Sequence, residues 1–349
     1  MKFIALLTTA QQQFIRVLSD KSGLDPQIIE KDWWVTAVLR AVFSLQYSDS
    51  LSFKGGTSLS KCWKLIERFS EDVDIAVSRE YLGFSGDLSK TQISDKLRRA
   101  ACSFVRERLQ FDVKAGLLEQ GVPADCFTVN VNITPITTTD PERIEVHYKS
   151  NFYNNPYIKN QVIIEVSGRS MSEPLKPVGI RSVLEDSFPE SPFVEPQVIV
   201  NAVVPERTFL EKICLLHEEF SHNPEQIRVD RMSRHMYDII KIADTGIASL
   251  ALSDRDLWNS IVEHRRKFIG LKGFDYDSLT PERICIVPPD AIIDQWRKDY
   301  ESMREIMIYG DSPAFDDLIE QIRALNVKIN NNNRVEMGGV EPPSKHRTK

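Results

Sequence analysis

The segment Lys54–Val77 constrains this chain most strongly, because it places a glycine pair shortly before two closely spaced aspartates. It reads KGGTSLSKCWKLIERFSEDVDIAV. Residues 51–53 are short and half apolar, which is typical of a strand that leads into the glycines. Gly55 and Gly56 allow positive φ angles and let a ligand approach the backbone closely. Apolar residues then recur at helical spacing, so the sequence predicts a strand, a tight turn and a helix.

The start of the predicted helix is suited to an anion. Thr57 or Ser58 would serve as its N-cap, and the free N–H groups of a first turn, with the positive end of the helix dipole, attract phosphate. Ser58 adds a hydroxyl group, and Arg68 supplies a cation after the helix. The pattern predicts a cradle for the phosphates of a nucleotide.

Asp72 and Asp74 begin the apolar run DVDIAV. Residues two apart on a strand point to the same face, so these carboxylates would lie side by side. Mg²⁺ relieves their repulsion, because it takes carboxylates, waters and substrate phosphates as ligands. An isolated Asp-x-Asp is more often a solvated turn, but the preceding glycines and Arg68 favour a metal site here.

A third carboxylate lies in the apolar stretch QVIIEVSG, residues 161–168. Glu165 would be costly there as an unpaired buried charge. It is therefore either a third metal ligand on a neighbouring strand or a residue near a strand edge that reaches water.

Gly-Gly, a helix and then Asp-x-Asp at a strand resemble the polymerase-β-like nucleotidyltransferase superfamily. The fuller wording KGGTSLSK and RFSEDVD resembles its AbiEii/AbiGii toxin branch, and the resemblance extends from about Glu30 to Phe315. Fifteen residues separate Gly56 from Asp72, an interval that predicts a longer connecting helix and turn and fits the toxin branch better than the polymerases. Haloacid-dehalogenase phosphatases also carry Asp-x-Asp, but polar residues precede Asp72, and Ala76 stands where they have Thr or Val.

Two further motifs resemble this family in the C-terminal half. Lys212, in RTFLEK, matches a lysine that the family uses for the nucleotide, and Asp238, in RMSRHMYDII, matches an acid of its last motif. The residues alone leave other interpretations open. Lys212 could simply extend its ammonium group to water beside an apolar stripe. Asp238 would lie opposite the buried stripe of its helix, where it could form a weak surface ion pair with Arg234.

The resemblance implies an α/β (α+β) fold, with a polymerase-β-like mixed-sheet core and a mostly helical C-terminal lobe. It implies a Mg²⁺-dependent enzyme that moves a nucleoside monophosphate from an NTP to a hydroxyl group of RNA or tRNA. Asp72, Asp74 and Glu165 would hold two Mg²⁺ ions, and Glu165 would help to deprotonate the acceptor. The nucleotide would be bound by Gly55, Gly56, Thr57, Ser58, Arg68 and Lys212, with Gly56 and Ser58 at the β- and γ-phosphates, while Asp238 positions nucleotide or acceptor.

The biological role implied is that of the toxin of a toxin–antitoxin or phage-defence system, with a cognate antitoxin that carries a DNA-binding domain. Two alternatives stay open. The same chemistry could modify a protein hydroxyl group, or the chain could be a catalytically silent nucleotide-binding module.

Composition sets the wider frame. A chain of 349 residues with 42% hydrophobic content can bury the cores of two lobes. Its net charge of −6 argues against a protein that coats nucleic acid nonspecifically. Five scattered cysteines without a Cys-x-x-Cys motif indicate a reducing cytoplasm and argue against a zinc site. No run approaches the length of a membrane span.

The order of patterns predicts five regions. Residues 1–50 form a helical segment in which Asp25-Pro26 starts a helix. Strands are expected at 111–113, 128–133, 144–148 and 162–166. The regions are a helical segment at 1–50, a catalytic core at 51–172, a Pro- and Ser-rich connection at 173–205, a helical lobe at 206–328 and a disordered tail at 329–349.

Overall fold

The computed structural model describes residues 2–70, 72–132, 142–152, 158–171 and 173–331. They form two compact units. The first unit contains the chain up to Thr208 together with Lys267–Ile269 and Arg304–Asp311. The second contains Phe209–Arg266, Gly270–Met303 and the described residues from Ser312 onwards.

A mixed sheet of seven strands organises the first unit. In chain order the strands are β1 (Leu51–Lys54), β2 (Asp72–Val77), β3 (Phe127–Asn132), β4 (Glu142–Tyr148), β5 (Gln161–Ser167), β6 (Leu175–Ile180) and β7 (Val198–Val203). Their order in space is β3-β4-β5-β2-β1-β7-β6. The β2–β5 and β1–β7 pairs are parallel, and the others are antiparallel. The mixed sheet confirms the predicted α/β class.

The first unit also contains helices. They are α1 (Thr8–Ser22), α2 (Pro26–Phe43), α3 (Gly55–Lys61), α4 (Arg98–Phe104), α5 (Gln110–Glu119) and α6 (Val183–Ser187). The start of α2 is as predicted, because the Asp25 side chain accepts a hydrogen bond from the backbone N–H of Gln27 at 2.8 Å and Pro26 follows. Most of α2 is buried, and it packs against α5, α6 and β7.

The two faces of the sheet differ sharply in polarity. On β5, Val162, Ile164 and Val166 are buried in the main hydrophobic core. The alternate residues of β5, which include Glu165, are half-buried. The core therefore lies on one face of β5, and the polar residues of β2, β4 and β5 share the other face.

Three predictions about the first unit were wrong in detail. Residues 111–113 are helical within α5, because Leu109, Val113 and Leu117 bury a stripe at helical spacing. The helix after the glycine pair is short and ends at Lys61. The predicted cap is also absent: α3 begins at Gly55 after Lys54, and no side chain caps it.

The segment 173–205, expected as a connection, contains β6, α6 and β7, and both strands belong to the sheet. Strand β3 agrees with its prediction except at residue 133, which lies outside the described residues.

Helix α7 (Pro205–Phe220) begins in the first unit and continues into the second. Apart from the last three residues of α11, which belong to the first unit, the second unit adds α8 (Arg234–Ala243), α9 (Gly246–Ser253), α10 (Arg255–His264), α11 (Ile293–Ile306) and α12 (Phe315–Asn331). Its described residues include no strand, which confirms the helical C-terminal lobe. Helix α12 extends to Asn331, inside the predicted tail, and residues 332–349 lie outside the described part. Of the helices described, none has the length and apolar character needed to cross a membrane.

Candidate active site

Three carboxylates lie on the polar face of the sheet, on two adjacent strands. Asp72 and Asp74 are two residues apart on β2 and are both half-buried. In the parallel pairing with β5, Asp74 is directly opposite Glu165, and Asp72 is opposite Ile163. Neighbours in register point to the same side of a sheet. The backbone therefore places all three predicted acids on one face.

Glu165 is held by a basic residue that the sequence had not singled out. Arg143, on β4, is opposite Glu165 in the antiparallel β4–β5 pairing. Its Nη2 lies 2.6 Å from Glu165 Oε1 in an ion pair, with the arginine side chain 51% exposed and the glutamate 22% exposed. The ion pair partly neutralises the charge of the acidic face.

The donor chemistry of this face fits a hard divalent cation. All three side chains offer carboxylate oxygens, which Mg²⁺ prefers, and strand register already sets them side by side. Across the described residues, however, no group of three or more His, Cys, Asp or Glu side chains is arranged to hold a metal ion as it stands. The backbone thus fits the metal site, while the Glu165 side chain is bound to Arg143.

Gly55 lies against Asp74. Its φ is +77°, and a Cβ atom added there would overlap the Asp74 carboxylate. Any other residue at position 55 would both strain the backbone and displace this acid. The first glycine of the pair therefore makes room for an acid of the candidate site.

Gly56 makes room for a cation. A Cβ atom at this position would come within 2.6 Å of Arg68 Nη2 and 3.0 Å of Ser70 Oγ. Arg68 is only 2% exposed, so its guanidinium group is buried beside the first turn of α3. The predicted nucleotide-binding residues Gly56 and Arg68 are therefore adjacent.

Thr57 and Ser58 are both buried in α3. The Thr57 hydroxyl donates to the backbone carbonyl of Asp72 and is hydrogen bonded to Ser70 Oγ at 2.9 Å. Thr57 thereby ties α3 to the start of β2, which fixes the glycine turn relative to the acids. This tertiary bond replaces the N-cap bond that the sequence had suggested for Thr57.

The segment before β2 is supported by Arg304–Asp311, which belongs to the same unit. An isolated antiparallel bridge joins Arg68 to Ile308. The Phe69 N–H donates to the Met307 carbonyl at 2.6 Å, and the Tyr309 N–H donates to the Glu67 carbonyl at 3.0 Å. These bonds hold the chain on which Arg68 approaches Gly56.

The nearby cysteine does not supply a nucleophile. Cys62 follows α3, and burial raises the pKa of its thiol to about 11. It is therefore protonated and weakly reactive at neutral pH. All five cysteines of the chain are free.

Lys212 and Asp238 form a buried ion pair in the second unit. Lys212 Nζ lies 2.9 Å from Asp238 Oδ2, and Asp238 is fully buried. His235 Nδ1 lies 3.1 Å from the same ammonium nitrogen. The structure thus brings the two predicted residues of the C-terminal motifs together.

The expectation that Asp238 faces away from the buried stripe was wrong. Met236, Tyr237, Asp238 and Ile239 are four consecutive buried residues of α8. A helix buried on more than one side has no solvent face for Asp238. Asp238 is therefore a buried partner of the Lys212 ammonium group, not an acid on a solvent-facing side of its helix.

Sequence reasoning missed Arg143 and His235. Arg143 directly precedes the predicted strand at 144–148, and only the pairing of β4 with β5 shows its partner. His235 lies within the motif that contains Asp238, yet its contact depends on the packing of α7 residue Lys212 against α8.

Comparison with known proteins finds a family model that matches most of the chain. The family model for the nucleotidyl transferase AbiEii toxin, type IV toxin–antitoxin system, matches residues 37–321. This range includes every candidate site residue described above. No curated protein sequence is significantly similar to the chain.

Two solved structures illustrate the similarity. JHP933 from Helicobacter pylori is 14% identical, with a TM-score of 0.44 over 90% of this chain and 96% of that one. MenT4, a nucleotidyltransferase toxin from Mycobacterium tuberculosis H37Rv, is 14% identical, with a TM-score of 0.42 over 95% of this chain and 99% of that one.

Proposed function

The chain belongs to the AbiEii family of nucleotidyltransferase toxins of type IV toxin–antitoxin systems, and from this premise we propose that it transfers a nucleoside monophosphate from an NTP to a hydroxyl group of RNA. We take tRNA as the expected acceptor. The observation that carries the proposal is the register that sets Asp74 opposite Glu165, two residues from Asp72, on one polar face. The partner is a cognate antitoxin with a DNA-binding domain, and the role is phage defence.

We propose that Asp72, Asp74 and Glu165 hold two Mg²⁺ ions. Bound Mg²⁺ would neutralise charge that develops on the phosphoryl oxygens and on the attacking and leaving oxygens. The carboxylates are the ligand type that this ion takes, and Glu165 also accepts the proton of the attacking hydroxyl group.

The phosphates would bind beside the glycine turn. The buried Arg68 guanidinium lies against Gly56, so a phosphate close to this backbone meets a fixed positive charge. Gly55, Thr57 and Ser58 complete the turn in this proposal. Gly55 leaves space for Asp74, and Thr57 fixes the turn to β2.

Lys212 would neutralise phosphate charge in the same reaction, as its place in the RTFLEK motif suggests. Asp238 is buried and paired with the Lys212 ammonium group, so its proposed role is to hold that group in one position.

The reaction is an in-line displacement. The acceptor oxygen forms a bond to the α-phosphorus while the bond from that phosphorus to the bridging α–β oxygen breaks. Pyrophosphate leaves with the bonding electrons, and the hydroxyl proton passes to a carboxylate of the acidic face. Positioning and charge supply most of the acceleration in reactions of this class. Five free cysteines are in keeping with a reducing cytoplasm as the place of this reaction.

The test is transfer of label. The purified full chain is incubated with Mg²⁺, each α-labelled NTP in turn, and total tRNA or a cell lysate. We expect label on RNA with one preferred NTP, and none with Asp74→Ala. Asp95→Ala is the matched control, because it removes a half-exposed carboxylate that pairs with Arg99 on a helix rather than on the sheet.

The result also separates the alternatives. Label on a protein instead of RNA would replace the acceptor but keep the chemistry. Absence of transfer with every NTP, while nucleotide binding persists, would contradict the proposal and favour a silent nucleotide-binding module.

A further inference from the structure

Arg143 occupies the position from which a cation can compete with a metal ion for Glu165. Both residues lie on the polar face, opposite each other on β4 and β5, and their side chains are 2.6 Å apart. Glu165 is in turn opposite Asp74 on β2. One carboxylate therefore lies between an arginine on one side and the candidate metal ligands on the other.

We propose that Arg143 is a positioning residue that competes with a divalent cation for Glu165 and thereby lowers the affinity of the acidic face for the metal. This inference rests on the proposed function, because it takes Asp72, Asp74 and Glu165 as the metal ligands.

The electrostatic reason is the crowding of like charges. Three carboxylates on adjacent strand positions repel one another when no cation lies between them. The guanidinium group of Arg143 offsets part of that charge, because it forms an ion pair with Glu165.

The pair is also suited to exchange. The Arg143 side chain is half-exposed, so water can solvate its guanidinium group when the carboxylate moves away, and exposed ion pairs are weak. A fully buried pair would not open as easily, because separating buried charges leaves each of them unsolvated. The free energy needed to separate the Arg143–Glu165 ion pair therefore weakens Mg²⁺ binding.

Metal binding to the full chain without nucleotide tests this directly. Mn²⁺ alone is the probe, and electron paramagnetic resonance measures the free ion. Arg143→Gln removes the competing cation, so we expect it to bind Mn²⁺ about fivefold more tightly than the unaltered chain. Arg143→Lys keeps the charge and should stay close to the unaltered affinity.

Arg99→Gln is the matched control for net charge. Arg99 makes an exposed ion pair with Asp95, with its Nε 2.8 Å from Asp95 Oδ1, on a helical turn outside the sheet. The Arg99→Gln variant should bind Mn²⁺ with the same affinity as the unaltered chain. In Arg143→Gln/Glu165→Gln, the gain in affinity should disappear, because the released ligand is gone.

Thermal unfolding gives a second readout and checks folding. Without metal, Arg143→Gln should unfold at a lower temperature than the unaltered chain. Added Mg²⁺ should raise the unfolding midpoint of Arg143→Gln by more than it raises that of the unaltered chain. Two results together would overturn this inference and leave the proposed metal site intact. Arg143→Gln would bind Mn²⁺ no more tightly than the unaltered chain, and the single substitution Asp74→Asn would abolish Mn²⁺ binding. Mn²⁺ binding that does not depend on Asp74 at all would overturn the proposed metal site as well.

Discussion

The acidic face of the sheet and the Lys212–Asp238 pair use the same kinds of charge in opposite ways. On the sheet, the carboxylates are half-buried, and the arginine that pairs with Glu165 is half-exposed. In the helical unit, Asp238 is fully buried and Lys212 nearly so. On the sheet, water can replace a partner that a side chain loses, whereas the fully buried Asp238 has no contact with water. The acidic face can therefore exchange partners, whereas the Lys212–Asp238 pair is a fixed part of the fold.

The largest effect on stability should come from breaking the buried pair. Lys212→Met removes the ammonium group from a fully buried carboxylate, which we expect to destabilise the protein by about 3–5 kcal/mol. Urea unfolding followed by the circular dichroism of the helices measures the loss. A loss below about 1 kcal/mol would contradict the view that this pair is structurally fixed.

A double variant separates lost charge from lost packing. Lys212→Met/Asp238→Leu removes both charges and keeps apolar volume, so much of the stability should return. If the double variant is as unstable as Lys212→Met, packing rather than the unpaired charge explains the loss.

An intermediate effect is expected at the glycine turn. In Gly55→Ala the added methyl group would overlap the Asp74 carboxylate at a φ of +77°, and we expect a loss of about 1–3 kcal/mol. Nucleotidyl transfer should also fall at least about tenfold, because the acid is displaced.

Gly121→Ala is the matched control for backbone strain. Gly121 has a φ of +82°, and a Cβ atom there would meet nothing within 4 Å. The Gly121→Ala variant should lose stability only through backbone strain at this positive φ, and it should keep full transfer activity. Equal loss of activity in both variants would show that strain, not the position of Asp74, accounts for the effect.

These outcomes depend on features that a sequence reveals unequally. The acids of β2 and Glu165 could be predicted, because the period of a strand is local and the motif around them is specific. Arg143 could not, because its role depends on which strand lies beside β5 and in which register.

Long-range packing also explains the other differences between the predictions from sequence and the structure. Asp238 was assigned to a solvent face from one apolar stripe, whereas α8 is buried on more than one side. The Pro- and Ser-rich composition of 173–205 suggested a connection, yet its β6 and β7 complete one end of the sheet through long-range pairing.

A smaller effect is expected from the pH dependence of the second unit. His217 is buried in α7; its Nδ1 accepts from the Cys285 N–H at 3.0 Å, and its Nε2 therefore donates to Ser278 Oγ at 2.9 Å. Burial lowers the pKa of His217 below its usual value. Between that lowered pKa and about 6.5, the unfolded chain binds a proton that the folded chain does not.

Stability should therefore fall as pH drops below about 6.5, because protonation then favours the unfolded chain. Unfolding in urea at pH 7.5 and pH 5.5 measures this, and His217→Asn should show a shallower dependence. The same dependence in both proteins would exclude His217 as its source and weaken the view that buried polar groups of this unit are fixed in one state.

The smallest effect on stability, and the largest on activity, is expected at Asp74. Transfer from an α-labelled NTP to RNA and urea unfolding should be measured on the same preparation of Asp74→Asn. The account predicts that transfer is lost while the free energy of unfolding changes by less than about 1 kcal/mol, because a half-exposed acid in a crowded acidic face contributes little to the fold. Retained transfer, or a loss of stability as large as that of Lys212→Met, would contradict it.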